Sequence, residues 1–294
     1  MSFDRWLNTE GRTAAYRQFK KDHTRLNKIY WHSVSEKSFF DYQYRQAKKT
    51  TGITPFSILK ITKPTKGSNN IENDLDVWHV NRNAMANWVR LNCLLSLYSY
   101  YELYLNRVTR TAQESDPGLF FGAAKSIDGI KILKANNWKD AYLPNYSAEV
   151  TKGTWSQRIS AIEKTFDIQL EKTRSQIISL EKSRKTRNAI AHYFGRDLSE
   201  DHILEYETSS DINLSERSMI KYLDLFEQIV CEIDSKLLKY IGEYEIIRYY
   251  HQSIEQIKSD KREFKKLVNQ SLLWENKSIE YCKELIEYYE KCET

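Results

Sequence analysis

The sequence predicts an all-α protein, and three observations carry that expectation. Only 9 Gly and 4 Pro occur among 294 residues, too few for the closely spaced tight turns of a β-sandwich or barrel. Hydrophobic residues make up 40% and aromatics 13%, enough to build a core rather than leave the chain disordered. Apolar residues also recur at helical spacing over long stretches free of Gly and Pro.

Residues 1–49 read as an amphipathic helix in which Arg17, Lys20, Lys21, Arg25 and Lys28 are interleaved with Tyr16, Phe19, Tyr30 and Trp31. Cations attract phosphates and exposed rings stack on bases, so the pattern suits a nucleic-acid surface; aromatics at helical spacing equally suit a core. Residues 51–63 (TGITPFSILKITK) are expected as a short strand or an extended arm. Residues 64–76, rich in Gly, Ser and Asn, read as a loop and a boundary. Asn83 to Thr111 reads as a long buried helix whose apolar surface comes from Met85, Trp88, Val89, Leu94, Leu95, Tyr98, Tyr101, Leu105 and Val108. Glu102 falls within that surface and must be either on an exposed seam or paired, because an unpaired buried charge is costly.

Asp116-Pro117-Gly118 marks a turn, followed by short helices and loops to about Val150. Thr154 to Phe166 and Leu170 to Tyr193 read as two helices, with Asp167 capping between them and Gly195 as a stop. Asn213 with Glu216 has capping-box character and opens a helix striped by Ile220, Leu223, Val230, Ile233, Leu237 and Ile241. Ile247, Tyr250, Ile254, Ile257, Lys261, Phe264 and Val268 then alternate by threes and fours. Such a heptad-like seam suits lying across a core or pairing with another chain. The expected division is a basic, mostly helical N-terminal extension (1–80), a helical core (81–242) and a helical tail (243–294).

The net charge of +5 is unevenly placed. Residues 1–82 hold 15 Lys and Arg against 8 Asp and Glu, whereas the remainder holds 30 against 32. A polyanion is therefore drawn first to the N-terminal quarter. The most apolar stretch, Leu91 to Leu105, is short and interrupted by Asn92 and Glu102, so no membrane span is expected. The first residues lack the apolar run of a signal peptide. Cys93, Cys231, Cys282 and Cys292 show no CxxC spacing, which indicates neither a zinc knuckle nor a disulfide framework. The expected compartment is a reducing cytoplasm. The sequence has no Gly-rich phosphate loop, HExxH, G-x-S-x-G elbow or deaminase-type H-x-E with paired cysteines. No metal or cofactor is implied.

The chemistry-bearing stretch is Arg187-Asn188-Ala189-Ile190-Ala191-His192, followed by Tyr193-Phe194-Gly195. Arg17/His23, Arg25/His32 and Arg196/His202 have similar spacing, but only Arg187 ends a long helical pattern, carries a polar neighbour at Asn188, and precedes two small residues. Here the chain resembles the HEPN superfamily, marked by an Arg four to six residues before a His near the end of a core helix, often with a polar residue directly after the Arg. The upstream stretch around Tyr101-Glu102-Leu103 is similar to the first core helix of that family. The resemblance covers about residues 81–242 and implies an HEPN-like helical bundle with the two extensions attached. Some members carry a Tyr two residues after the His that partner nucleotidyltransferases modify. Here that position is Phe194, with Tyr193 one place early, so the resemblance stops short of that control.

The residue types fit metal-free RNA cleavage. A base must take the 2′-OH proton, an acid must protonate the leaving 5′-oxygen, and charge on phosphorus must be stabilised. Imidazole serves either proton role near neutrality, and Arg supplies a permanent forked cation. Asn188 and His192, four apart, share a helix face, so the amide can orient the ring. Arg184 and Lys185 add phosphate contacts, with Arg17, Lys20, Lys21 and Arg25 as further RNA-binding candidates. Glu102 and Tyr193 are candidates for support. One motif supplies one His where two proton-transfer groups are needed. A two-fold homodimer facing two Arg/His pairs across a groove, as the resemblance implies, resolves this. The implied function is a metal-independent endoribonuclease, a toxin or anti-phage defence effector by family analogy, with a regulatory protein partner. The alternatives are a non-catalytic HEPN-like module binding RNA, a nucleotide or a protein, and a purely structural helical adaptor.

Overall fold

The computed structural model describes residues 11–63, 65–122, 124, 126–135, 146–193, 212–257, 260–271 and 279–292, and among them every regular element is helical. The helices are α1 (Ala14–Ala47), α2 (Pro55–Ile58), α3 (Leu75–Ser115), α4 (Gly129–Ala135), α5 (Tyr146–Thr151), α6 (Trp155–Phe166), α7 (Glu171–Ser175), α8 (Ile177–Tyr193), α9 (Glu216–Ile257), α10 (Lys261–Ser271) and α11 (Ile279–Lys291), with 3₁₀ turns at Ser68–Asn70 and Pro117–Phe121. Contacts divide the chain into two compact units. The first comprises residues 1–22, 99–182 and 225–294; the second comprises 23–98 and 183–224. These units cut across the expected boundaries after residues 80 and 242, because α3 and α9 run unbroken through both positions.

Several local expectations are corrected. Residues 51–63 contain a helical turn rather than a strand or arm. Thr54 accepts from the Ser57 N–H while the Ser57 hydroxyl lies 3.0 Å from the Thr54 N–H, a capping box that Pro55 at the first helical position reinforces. The long central helix starts at Leu75, not Asn83, because the Asp74 carboxylate accepts from the N–H groups of Asp76 and Val77 at 2.9 Å. Met85 and Trp88, expected in its buried surface, are exposed, as are Val77 and Val80. The helix expected over 170–193 is interrupted at Gln176, whose backbone (φ −102, ψ 8) ends α7. Ser215, not Asn213, caps α9, accepting from the Ser218 N–H at 3.2 Å.

In the second unit, Leu26 and Tyr30 of α1, Leu94, Leu97 and Tyr98 of α3, Ile190 of α8 and Met219 and Leu223 of α9 are buried. His23 belongs to this core. Its Nε2 faces the Leu223 carbonyl at 3.1 Å and its Nδ1 faces the Asn27 amide nitrogen at 3.2 Å. One ring nitrogen must donate and the other accept, which selects the neutral Nε2–H tautomer. Asn87 clamps the residues before α9, donating to the Ile212 carbonyl at 2.8 Å and accepting from the Leu214 N–H at 2.9 Å. Arg90 also donates to the Leu214 carbonyl.

The first unit is built around Tyr101, Trp155, Phe166 and Phe226, with Trp155 and Phe226 edge-to-face at 5.9 Å. Thr154 and Gln157 form a capping box on α6, and Asp167 ends it in the left-handed region at φ 47, as the cap reading anticipated. The tail seam folds back within this unit: Ile247, Tyr250 and Phe264 pack with Ile130, Cys282, Leu285, Ile286 and Tyr289. Ile254 remains exposed. All four cysteines are free thiols, and burial pushes the Cys93 thiol up to about 11. Among the described residues no helix is long and apolar enough to cross a membrane.

Thr13 joins α1 to α9 in the first unit. Its hydroxyl donates to the Asp234 carboxylate at 2.5 Å and accepts from the Tyr16 N–H at 3.1 Å. Burial raises Asp234 from 3.8 to about 6, opposed by the Thr13 hydrogen bonds and by Arg12 and Arg17. A folded-state value above the unfolded one means the protonated form favours folding. This contribution is therefore fully present below about pH 4 and is lost as pH rises through about 6. A shift of that size corresponds to about 3 kcal/mol. Asp234→Asn keeps one of the two acceptors that the Thr13 N–H and hydroxyl use and removes the titration. Denaturant unfolding should show the variant gaining stability over the parent between pH 4 and pH 7, with a flatter profile. A variant that tracks the parent across that window, or loses stability at pH 7, rules this account out.

Candidate active site

Helix α8 carries the motif, and its buried side anchors it in the second unit. Ser183 and Ile190 are buried, and the Ser183 hydroxyl is 2.6 Å from the Tyr98 hydroxyl of α3. Arg187 lies one turn beyond Ser183 on the same side. Its guanidinium sits 5.8 Å from the centroid of the Tyr98 ring, within the range of a cation–π contact. Its Nη1 also donates to the Asn188 amide oxygen at 3.2 Å. Ser183, Tyr98, Arg187 and Asn188 thus form one connected set, with the Arg half-buried at the edge of the core.

Asn188 makes a contact that its spacing from His192 does not anticipate. Its carbonyl oxygen accepts from Arg187, so the amide helps hold the guanidinium. His192 and Tyr193 occupy the last turn of α8, but their side chains lie outside the described residues, as do Phe194, Gly195, Arg196 and His202. At 3.6 residues per turn, the backbone places His192 about 140° around the axis from Arg187 and about 40° from Asn188. Arg184 is half-buried with interactions of its own, whereas Lys185 is exposed. Ala189 is half-buried and Ala191 exposed, so the last turns present small side chains outward.

The other candidates separate clearly. Glu102 is paired, its Oε1 3.8 Å from Arg158 Nη1 in the first unit. His23 is a core residue, which removes Arg17/His23 as a competing motif. Lys20 forms an ion pair with Glu227, and Arg17 is half-buried with interactions of its own. Lys21, Arg25 and Lys28 are exposed at i, i+4 and i+7 and share one outward stripe of α1. Phe19 and Tyr30 are core, contrary to the nucleic-acid reading of those rings, and Tyr16 faces the Arg12 guanidinium at 4.7 Å. Trp31 is exposed. Phe39 and Tyr42, missed by the sequence reading, are also exposed and continue the Lys28 stripe at i+11 and i+14. Extending the same periodicity beyond Trp31 would have found them.

Among the described residues no three His, Cys, Asp or Glu side chains gather as a metal-binding set. Comparisons with protein-family models, with characterised proteins and with solved structures find no match to this chain.

Proposed function

We propose that this chain is a metal-independent endoribonuclease of the HEPN type, with Arg187 and His192 as its catalytic pair. The observation that carries the reading is the seating of Arg187 at the C-terminal end of α8. Its guanidinium is held over Tyr98 and against Asn188, in a helix whose final turn bears the only imidazole of the motif. A guanidinium fixed at the edge of a core is preorganised for a phosphate, since its orientation is set before substrate arrives. His192 supplies one proton-transfer group per chain, so two chains meet across one groove, with Ala189 and Ala191 permitting close approach. Lys185 and the Lys21/Arg25/Lys28 stripe attract the RNA backbone. A role as toxin or anti-phage defence effector follows from the family resemblance.

The test is direct. Purified protein should cut single-stranded RNA and elute from light scattering at micromolar concentration as a dimer. Cleavage by a species that is monomeric throughout overturns the two-chain site. A protein that binds RNA in a salt-sensitive manner without cutting it supports the alternative, a non-catalytic RNA-binding module.

A further inference from the structure

The first unit contains a cavity of about 470 Å³, lined from the C-terminal end of α3, the Pro117–Phe121 turn, α5, α6 and α9. That size falls within the range of about 300–1,000 Å³ typical of small-molecule sites. Its deep side is formed by buried residues, Gln113, Phe166 and Tyr240 among them. The Tyr240 hydroxyl donates to the Phe166 carbonyl at 2.8 Å, and their rings lie 6.0 Å apart, so this wall is held by its own contacts. Gln113 is only 8% exposed, and its amide nitrogen has no hydrogen-bond partner among the described residues. A buried donor without an acceptor is costly, so the Gln113 amide can be met by a group from outside the chain.

The mouth has a different character. Among the described residues Glu149, Lys164 and Asp167 line it at exposed positions, two carboxylates against one ammonium. Helix α6 ends there, and the C-terminal carbonyls of a helix present the negative end of its dipole. The ammonium of Lys239 lies 4.8 Å from the Tyr240 ring centroid, but Lys239 lines a neighbouring groove with Asp167 and Lys236. Phe120 and Phe166 add aromatic surface, which favours a cation over an anion.

We propose that this cavity binds a small organic cation: an amine on an apolar or aromatic body that also bears a hydrogen-bond acceptor. The ammonium sits at the mouth beside Glu149 and Asp167. The body packs on the apolar wall that includes Leu119, Phe120 and Ala161, and the acceptor meets the Gln113 amide. None of these residues belongs to the Arg187 motif, so the site stands or falls independently of RNA cleavage.

Three probes sharing one body separate the charge requirement: 4-methoxyphenethylamine, 2-(4-methoxyphenyl)ethanol and 3-(4-methoxyphenyl)propionate. Calorimetric titration of the full chain should show the amine binding about tenfold tighter than the alcohol, with the carboxylate weakest. Asp167→Asn keeps the left-handed cap, because Asn tolerates that conformation, and should shrink the advantage of the amine while leaving the alcohol unchanged. Glu149→Gln, at an exposed position, should act in the same direction. Ala161→Phe fills the cavity and should abolish binding of all three without altering the circular dichroism of the fold. Equal binding of the three probes, preference for the carboxylate, or no binding of the amine at millimolar concentration overturns the proposal. An unaltered titration in Ala161→Phe does so as well.

Discussion

Replacing His192 or Arg187 with alanine should lower RNA cleavage by about 10²–10⁴-fold, the usual cost of losing a proton-transfer group or a preorganised stabiliser of developing charge, and leave the helical fold in place. Arg187 is half-buried, and the contacts it loses include a cation–π contact with Tyr98 and a hydrogen bond to Asn188. A cation–π contact at such a site is worth about 0.5–1 kcal/mol, small against the expected loss in rate. Arg187→Lys should recover little, because an ammonium cannot present a planar fork to phosphate. Asn188→Ala should slow cleavage less, by releasing the guanidinium rather than removing it. His23→Ala makes the informative contrast. It removes a buried ring and its hydrogen bond to the Leu223 carbonyl from the core, which costs about 1–3 kcal/mol of stability, yet the rate per folded molecule should be unchanged. Cleavage rates normalised to the folded fraction distinguish the two behaviours. Inactivation by His32→Ala or His202→Ala, with His192→Ala active, would show that the wrong Arg/His pair was chosen.

The all-helical class was legible because composition and periodicity report on burial, and burial is what holds long helices. The stripe of α9 shows this well: Leu223, Val230, Ile233, Leu237 and Ile241 are all buried. Features set by a single hydrogen bond or a single backbone torsion were less legible. The pause at Gln176 changes no apolar spacing, so the Leu170–Tyr193 pattern reads as continuous. The early start of α3 depends on the Asp74 carboxylate, whose acceptor role is indistinguishable in sequence from that of any loop Asp. Periodicity also cannot say which face of a helix is covered. Met85 and Trp88 fit an apolar stripe and are exposed, whereas His23 breaks one and is buried. At the candidate site, the sequence placed Arg187 near the end of a helix and made Asn188 its polar neighbour. The Tyr98 ring beneath the guanidinium comes from a helix 89 residues earlier in the chain. No local pattern encodes that pairing, and only packing reveals it.

Cleavage should proceed undiminished in EDTA and leave a 2′,3′-cyclic phosphate on the 5′ fragment. The motif offers a guanidinium and an imidazole, and these suffice for a reaction whose nucleophile belongs to the substrate. In the proposed reaction a neutral His192 would take the proton from the 2′-OH, whose oxygen would attack the adjacent phosphorus and expel the 5′-oxygen. The protonated His192 of a second chain would supply the proton to that leaving oxygen, while Arg187 would balance the charge accumulating on the phosphoryl oxygens. Two substrate changes probe the nucleophile. DNA lacks the 2′-OH, and RNA methylated at the 2′-oxygen beside the cut blocks it, so both should resist under conditions where unmodified RNA is consumed. The pH profile probes the acid and base: one imidazole must be neutral while its symmetry mate is protonated, so the rate should pass through a maximum and fall on either side. The two limbs belong to the coupled pair rather than to either ring. A single-limbed profile indicates one titrating group and removes the symmetric pair. Strict dependence on magnesium or manganese, or DNA cut at a rate comparable to RNA, removes the mechanism altogether and transfers the chemistry to groups other than Arg187 and His192.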